Sequence, residues 1–358
     1  MDHHGDGRGR GAGAVTPAGP PISLVVVTRG DEQLLRTVLP AALDAGVDTD
    51  RDEILVVIDG PGAPGAAALA AGIHPVVRVL VLPENRGAAL ARLAGVGAAK
   101  HGTVLLIDDD VRLTPGAVQV HRDFHQRSAG GPVLLVGAMP VAAPAHGDAD
   151  TLPVRVYAES YRRTVQTWIA APATLAESLW TGHLSARRQD ILAAESVAPT
   201  VRLDYFEDLD LGLRLSLLGV RMHYSPAARA DHLHRKDLAG FFREARSRGT
   251  SLARLSRRWP MLHGLQAAPS GQEVLRTFTG AVLRRRWAER MLAGLVRAAG
   301  MLGRGMQERV ALLSRHLLER AWYDQERLAD HPEQVQGHLA TVTESATMTA
   351  PQRFQAGA

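Results

Sequence analysis

The chain has 358 residues, 46% of them hydrophobic, enough for one large core or two smaller ones. Its 41 lysines and arginines against 37 acidic residues leave a net charge of +4, slight for this length, and no interleaving of basic and aromatic residues points to a nucleic-acid surface. There is no cysteine, which excludes disulfides, zinc–thiolate sites and thiol catalysis.

Residues 1–21 (MDHHGDGRGRGAGAVTPAGPP) lack the apolar core of an export signal and read as a disordered tail, in which His3 and His4 either bind metal or are simply solvated. Order is expected from Ile22. Residues 22–28 (ISLVVVT), 53–58 (EILVVI), 76–82 (VVRVLVL) and 103–107 (TVLLI) are continuous apolar, β-branched runs, the pattern of strands buried on both faces of a parallel sheet. Between them the spacing predicts a helix over 31–45, a small-residue helix or loop over 61–72 and an Ala/Gly-rich helix over 85–100. A further helix is expected over 114–127, with Thr114 as cap and Pro115 in the first turn, then a strand over 133–138 and a Pro/Gly/Asp-rich mobile loop over 142–152. Helices follow over 187–194 and 208–218, the second stopped by Gly219. Arg- and Leu-rich helices run from Lys236 to Arg327, and a polar, disordered tail is expected from about His331. No stretch approaches the ~20 apolar residues needed to span a bilayer, so the expected location is cytoplasmic, at most peripheral to a membrane.

Strands alternating with helices build a parallel sheet with helices on both faces, and in such sheets ligands bind beyond the carboxyl ends of the strands. Thr28, Asp59 and the triplet Asp108-Asp109-Asp110 all fall at those ends. Clustered carboxylates are stable beside a cation or solvent, and Mg²⁺ or Mn²⁺ takes oxygen ligands together with substrate phosphates. The plainer reading is an acidic surface turn. Other chemistries that use a strand-end aspartate fit less well. No G-x-x-x-x-G-K-[ST] loop accompanies it, Arg112 stands where a haloacid-dehalogenase phosphatase has a small or β-branched residue, and a receiver domain's late lysine is missing. The TRGDEQ loop is a poor match to that of a nucleotidyltransferase.

Four segments, in order, give the chain its strongest likeness: SLVVVTRGDEQLLRTVLPAAL, EILVVIDGPG, PENRGAALARLAGVGAAKHGTVLLIDDDVRLTPGAV and YFEDLDLGLRLSLLGVRMHYSPAARADH. Together they resemble family 2 glycosyltransferases over Ile22 to about His234. The chain departs from that pattern at Val27, Arg29, Ile58 and Leu93, around the expected base pocket. The resemblance implies an α/β fold of the GT-A type, Rossmann-like and mostly parallel, over 22–235, followed by a helical region over 236–330.

It also implies roles. Asp110, supported by Asp108 and by His232 from the segment after the last strand, would hold Mg²⁺ or Mn²⁺ against the donor diphosphate. Thr28, Asp59, Arg86, Asp108 and Asp109 would line the donor site, with Arg86 either stacking on the base or lying solvated in its loop. Gly182, in WTGHLSARR, would let substrate approach the backbone, and Trp180 would stack on a sugar or fill core. Asp208 would be the general base, the plainer alternative being a helix cap. Asp210 is expected to serve the first turn of the same helix. The implied partners are a nucleotide-sugar donor, a UDP-sugar first, and an unspecified hydroxyl acceptor, with inversion at the anomeric carbon. A binding or scaffold protein on a decayed fold is the alternative. The C-terminal helices either pack on the catalytic domain or touch a membrane surface through a basic amphipathic face.

Overall fold

A computed structural model describes residues 19–128, 131–142, 151–260 and 280–328. Residues 1–18 of the tail expected over 1–21, the tail over 331–358 and most of the loop over 142–152 lie outside them. Eight strands form one sheet in the order β3-β2-β1-β4-β7-β6-β8-β5. β1 (Ile22–Thr28), β2 (Glu53–Ile58), β3 (Val77–Val81) and β4 (Thr103–Asp108) run parallel, as the apolar runs imply. Their side chains alternate between faces, as a two-residue period requires. Leu24, Val26, Ile54, Val56, Leu105 and Ile107 point into one core with helices α1 (Glu32–Asp44) and α2 (Pro64–Ile73). Val25, Val27, Leu55, Val57, Val104 and Leu106 point into the other, with α3 (Ala88–Ala98).

The second half of the sheet is mixed. β5 (Val111–Leu113) turns back from the aspartates to pair antiparallel with β8 (Arg221–His232), and β7 (His183–Arg187) runs antiparallel between β4 and β6 (Val133–Ala138). α4 (Ala117–Arg127) begins later than expected. Thr114 does not cap it, because its hydroxyl donates to the Arg229 carbonyl, and left-handed Gly116 occupies the cap position. The run over 152–178 folds as α5 (Leu152–Ala170) and a 3₁₀ turn (Pro172–Ser178). α6 (Arg188–Val197) and α7 (Glu207–Leu217) complete the layer beneath β7.

Order also starts earlier than Ile22. Buried Arg122 forms a bidentate pair with Asp52 and donates to the Pro20 carbonyl, while Arg51 donates to the Gly19 carbonyl. Those carbonyls are fixed because the guanidinium groups beneath them need acceptors.

The C-terminal helices are α8 (Leu238–Arg258), α9 (Arg286–Gly300) and α10 (Arg304–Leu328). Phe241, Phe242 and Ala245 of α8 share a core with Leu292, Val296, Ala311 and Leu318, and Leu152 of α5 joins it. Asp210 ties this layer to α7. It is buried in the first turn of α7, ion-paired with Arg214 and Arg258, and bonded by the Trp259 indole N–H at 2.8 Å, a tertiary role added to its first-turn one. Among the described residues no helix is long and apolar enough to cross a membrane.

Candidate active site

The carboxyl ends of β1, β2 and β4 bring the predicted residues to one edge. Asp59 is nearly buried and is engaged by its own protein: the amides of Arg86 and Gly87 donate to its two oxygens at 2.7 and 2.9 Å. It thereby shapes the loop leading into α3, and the Arg86 side chain stands exposed beside it. Thr28 donates to Asp109 at 2.5 Å and accepts from the Gly30 amide. Burial, with the nearby charges of Asp110, Asp108 and Asp31, pushes the Asp109 carboxyl up to about 7 against that hydrogen bond.

Asp108 faces α3. Its Oδ1 accepts from Arg92 Nη2 at 2.7 Å. Arg92 reaches it because α3 lies unusually close to the sheet: a Cβ on Gly95, three residues on, would fall 2.5 Å from Val25 Cγ1 and 2.9 Å from Val57 Cγ2. Gly182 is required here for a similar reason. A Cβ there would approach Asp108 Oδ2 to 2.8 Å, so its missing side chain makes room for the carboxylate.

Arg92 also lies 3.4 Å from both Glu207 and Asp208, making one guanidinium the counter-charge for three carboxylates. Asp208 is further held by Thr181, whose amide donates at 3.1 Å and whose hydroxyl donates to the other oxygen. No side chain caps α7, so the helix-capping alternative for Asp208 has no hydrogen bond behind it. Phe206, immediately before Glu207, has φ 63°, a left-handed conformation that costs a bulky residue about 1–2 kcal/mol. This strained residue aims the start of α7 at Arg92. Burial raises the Asp208 carboxyl above its ordinary value despite Arg92 and Thr181, and the adjacent Glu207 is pushed up to about 7.

Removing Arg92 leaves these carboxylates facing one another. Arg92→Ala is expected to destabilise the fold by about 3 kcal/mol, near the low end for a broken buried pair because the carboxylates keep some solvent contact. Urea unfolding measures it. The loss should shrink as falling pH neutralises the carboxylates, and a pH-independent loss would mean that packing alone is at stake.

On the other side of the aspartates, Asp110, His232 and His234 each offer a ligand atom within 4.8 Å of the others. His232 Nε2 is 3.0 Å from Asp110 Oδ2, and its Nδ1 is 3.0 Å from the Tyr157 hydroxyl. His234 stacks on Tyr157 with ring centroids 4.1 Å apart, and its Nε2 is buried without a hydrogen-bond partner among the described residues. An orphaned buried nitrogen beside a carboxylate and a second imidazole fits a divalent cation, and a hydrogen-bonded outer nitrogen is how ligating histidines are usually fixed. Burial brings His234 down to about 4, keeping it neutral and able to ligate. Asp110 is held below the usual carboxylate range: burial opposes this, but the His232 hydrogen bond and the two imidazoles outweigh it.

The predicted site residues therefore occupy one edge in two groups, Asp208 with Asp108 and Asp110 with His232, while Thr28 and Asp109 lock each other and Asp59 and Arg86 shape the neighbouring loop. Arg92, Thr181 and Tyr157 are not singled out by sequence reasoning, which names His232 and His234 as alternatives for one metal ligand and not as a pair. For Tyr157, on a helix some 75 residues upstream of His232, there was no signal.

Residues 20–249 match the family described as glycosyltransferase like family 2. The chain is 29% identical over 126 residues, 35% of its length, to the succinoglycan biosynthesis protein ExoO of Rhizobium meliloti (strain 1021). It is 56% identical over 41 residues, 12% of its length, to the rhamnosyltransferase WbbL of Escherichia coli (strain K12). The matches span 34% and 16% of those relatives' own lengths. Among solved structures, the mannosyltransferase PcManGT from Pyrobaculum calidifontis, in complex with GDP-Man and Mn²⁺, superposes with a TM-score of 0.54 at 17% identity. That superposition covers 89% of this chain and 90% of the other, a likeness of fold, in keeping with the α/β GT-A arrangement.

Proposed function

The chain belongs to the glycosyltransferase-like family 2, and from that premise we propose that it moves a glycosyl group from a nucleoside-diphosphate sugar to a hydroxyl-bearing acceptor, with inversion and with a divalent cation. The observation that carries the reading is the pair of assemblies flanking Asp108-Asp109-Asp110: a half-buried carboxylate, Asp208, held by Thr181 and Arg92 on one side, and a carboxylate with two imidazoles on the other. Asp208 takes the acceptor hydroxyl's proton as that oxygen bonds to the anomeric carbon. The bond from that carbon to the β-phosphate oxygen breaks, and the nucleoside diphosphate leaves with the electron pair. Attack from the face opposite the leaving group inverts the configuration. Thr181 and Arg92 hold Asp208 in place. Asp110, His232 and His234 would hold the cation, which when bound supplies Lewis-acid stabilisation to the departing diphosphate. Two imidazoles in the donor set favour Mn²⁺ over Mg²⁺, which prefers oxygen.

The acceptor side of this reading rests on an open cleft of about 870 Å³ between α5, α8 and α10. Trp180, Tyr157 and Tyr205 line it beside Arg248, Arg315 and Glu244, aromatic faces next to hydrogen-bonding charges. The GDP-mannose bound by the structural relative makes GDP-sugars candidates beside the UDP-sugars the sequence suggests. A thermal-shift screen of nucleotide sugars with and without Mn²⁺, followed by product NMR, tests the proposal. Stabilisation by one donor only with the cation, and a product of inverted configuration, are expected. Failure of every donor to bind would favour a scaffold on a decayed site.

A further inference from the structure

The hairpin of α9 and α10, joined through Met301–Gly303, carries an apolar strip that nothing among the described residues covers. The inner side of α9 is accounted for: Leu292 and Val296 are buried in the core shared with α8, and Ala288 and Ala299 are buried beside them. Trp287, Met291 and Leu295, spaced four residues apart on an adjoining flank, are each about half exposed. The strip continues to the hairpin tip, where Met301 is 84% and Leu302 77% exposed. Isolated exposed apolar residues need no account, but a continuous row of large ones marks an interaction surface.

The charge around the row is one-sided. Residues 285–312 contain six arginines and two glutamates. Both glutamates are already engaged, Glu289 with Arg246 and Glu308 with Arg155. The exposed Arg285, Arg290, Arg297 and Arg309 have no carboxylate partner among the described residues. A second copy of the chain would bring two such cationic faces together, so self-pairing is opposed by repulsion. An anionic surface with an apolar interior complements both features at once.

We propose that this hairpin docks the protein on an anionic phospholipid bilayer. Trp287, Met291, Leu295 and the Met301–Leu302 tip enter the acyl boundary, and the arginines meet headgroup phosphates. The inference is independent of the catalytic reading, since none of these residues belongs to the site.

Flotation of the full chain with two kinds of vesicle tests it: phosphatidylcholine alone, and an equal mixture of phosphatidylcholine and phosphatidylglycerol. The chain should float with the mixed vesicles, bind those of phosphatidylcholine alone far less, and be released from the mixed vesicles by molar salt, where the Debye length falls to about 3 Å. Its tryptophan emission should shift to the blue on binding, and the shift should be lost in Trp287→Phe. Met291→Glu with Leu295→Glu should reduce binding at least tenfold without changing the melting temperature. Arg290→Ala with Arg297→Ala, whose side chains are exposed, should weaken it by about 25-fold, each arginine being worth about fivefold near such a surface. Absence of wild-type binding to mixed vesicles, or equal binding by both double variants, would overturn the proposal. So would light scattering that shows a dimer dissociated by the two glutamates, because the strip would then be a self-interface.

Discussion

Asp208→Asn is expected to lower kcat by about 10²–10⁴-fold, the range that a positioned base contributes, while donor affinity stays close to that of the parent chain. The amide keeps an oxygen to accept from the Thr181 hydroxyl, so the start of α7 should hold its place. What it loses is the ability to take a proton. Two side effects must be separated from that loss. First, Arg92 would face one fewer negative charge. The melting temperature of the variant reads this change independently of turnover. Second, Glu207 lies next to it, with its own proton affinity raised by burial, and the two carboxylates titrate as a pair. The parent's rate should rise with pH through an ionisation above the ordinary carboxylate range, because burial disfavours the charged base that the reaction needs. That acidic limb should disappear from the residual rate of the variant. Near-parental turnover in Asp208→Asn, or a product with retained configuration, would remove Asp208 from the role of base.

Asp110→Ala is expected to bring Mn²⁺ binding below calorimetric detection and to abolish metal-dependent donor binding, with the fold intact. Asp110 is the only carboxylate in the group that could share a cation, and without it two imidazoles remain. Its removal also leaves the His232 Nε2 without its hydrogen-bond partner, so part of any stability change belongs to that bond. A graded companion separates ligand loss from local disorder. Tyr157→Phe deletes only the hydroxyl that fixes the outer nitrogen of His232, and it should weaken Mn²⁺ by about 10–100-fold, as loss of an outer partner typically does. The stacking of His234 on the ring should survive that change. Unaltered Mn²⁺ affinity in Asp110→Ala would send the cation elsewhere along the aspartate triplet, with Asp108 the first candidate despite its pairing with Arg92.

The sequence by itself determined the parallel half of the sheet and the edge where the chemistry gathers. Runs such as ISLVVVT and TVLLI bury both faces of a strand, and that burial fixes where each strand ends and therefore where Thr28, Asp59 and Asp108 emerge. These are local effects of hydrophobic pattern, and pattern is legible in one dimension. It did not show that β7 would enter antiparallel beside β4, nor that residues 152–170 form a helix. Both depend on which surface is left to cover once the first four strands are laid down. The ionic arrangement was less legible still. Arg92 reads as one more residue of an Ala-rich helix until Gly95 brings that helix against Val25 and Val57 and lets one guanidinium meet Asp108, Glu207 and Asp208. Asp210 reads as a first-turn acid until Trp259 and Arg258 return from α8 to bind it. Charges take their partners from whatever the packing brings within a few ångströms, so the tertiary structure alone decided which aspartates face arginine and which face histidine.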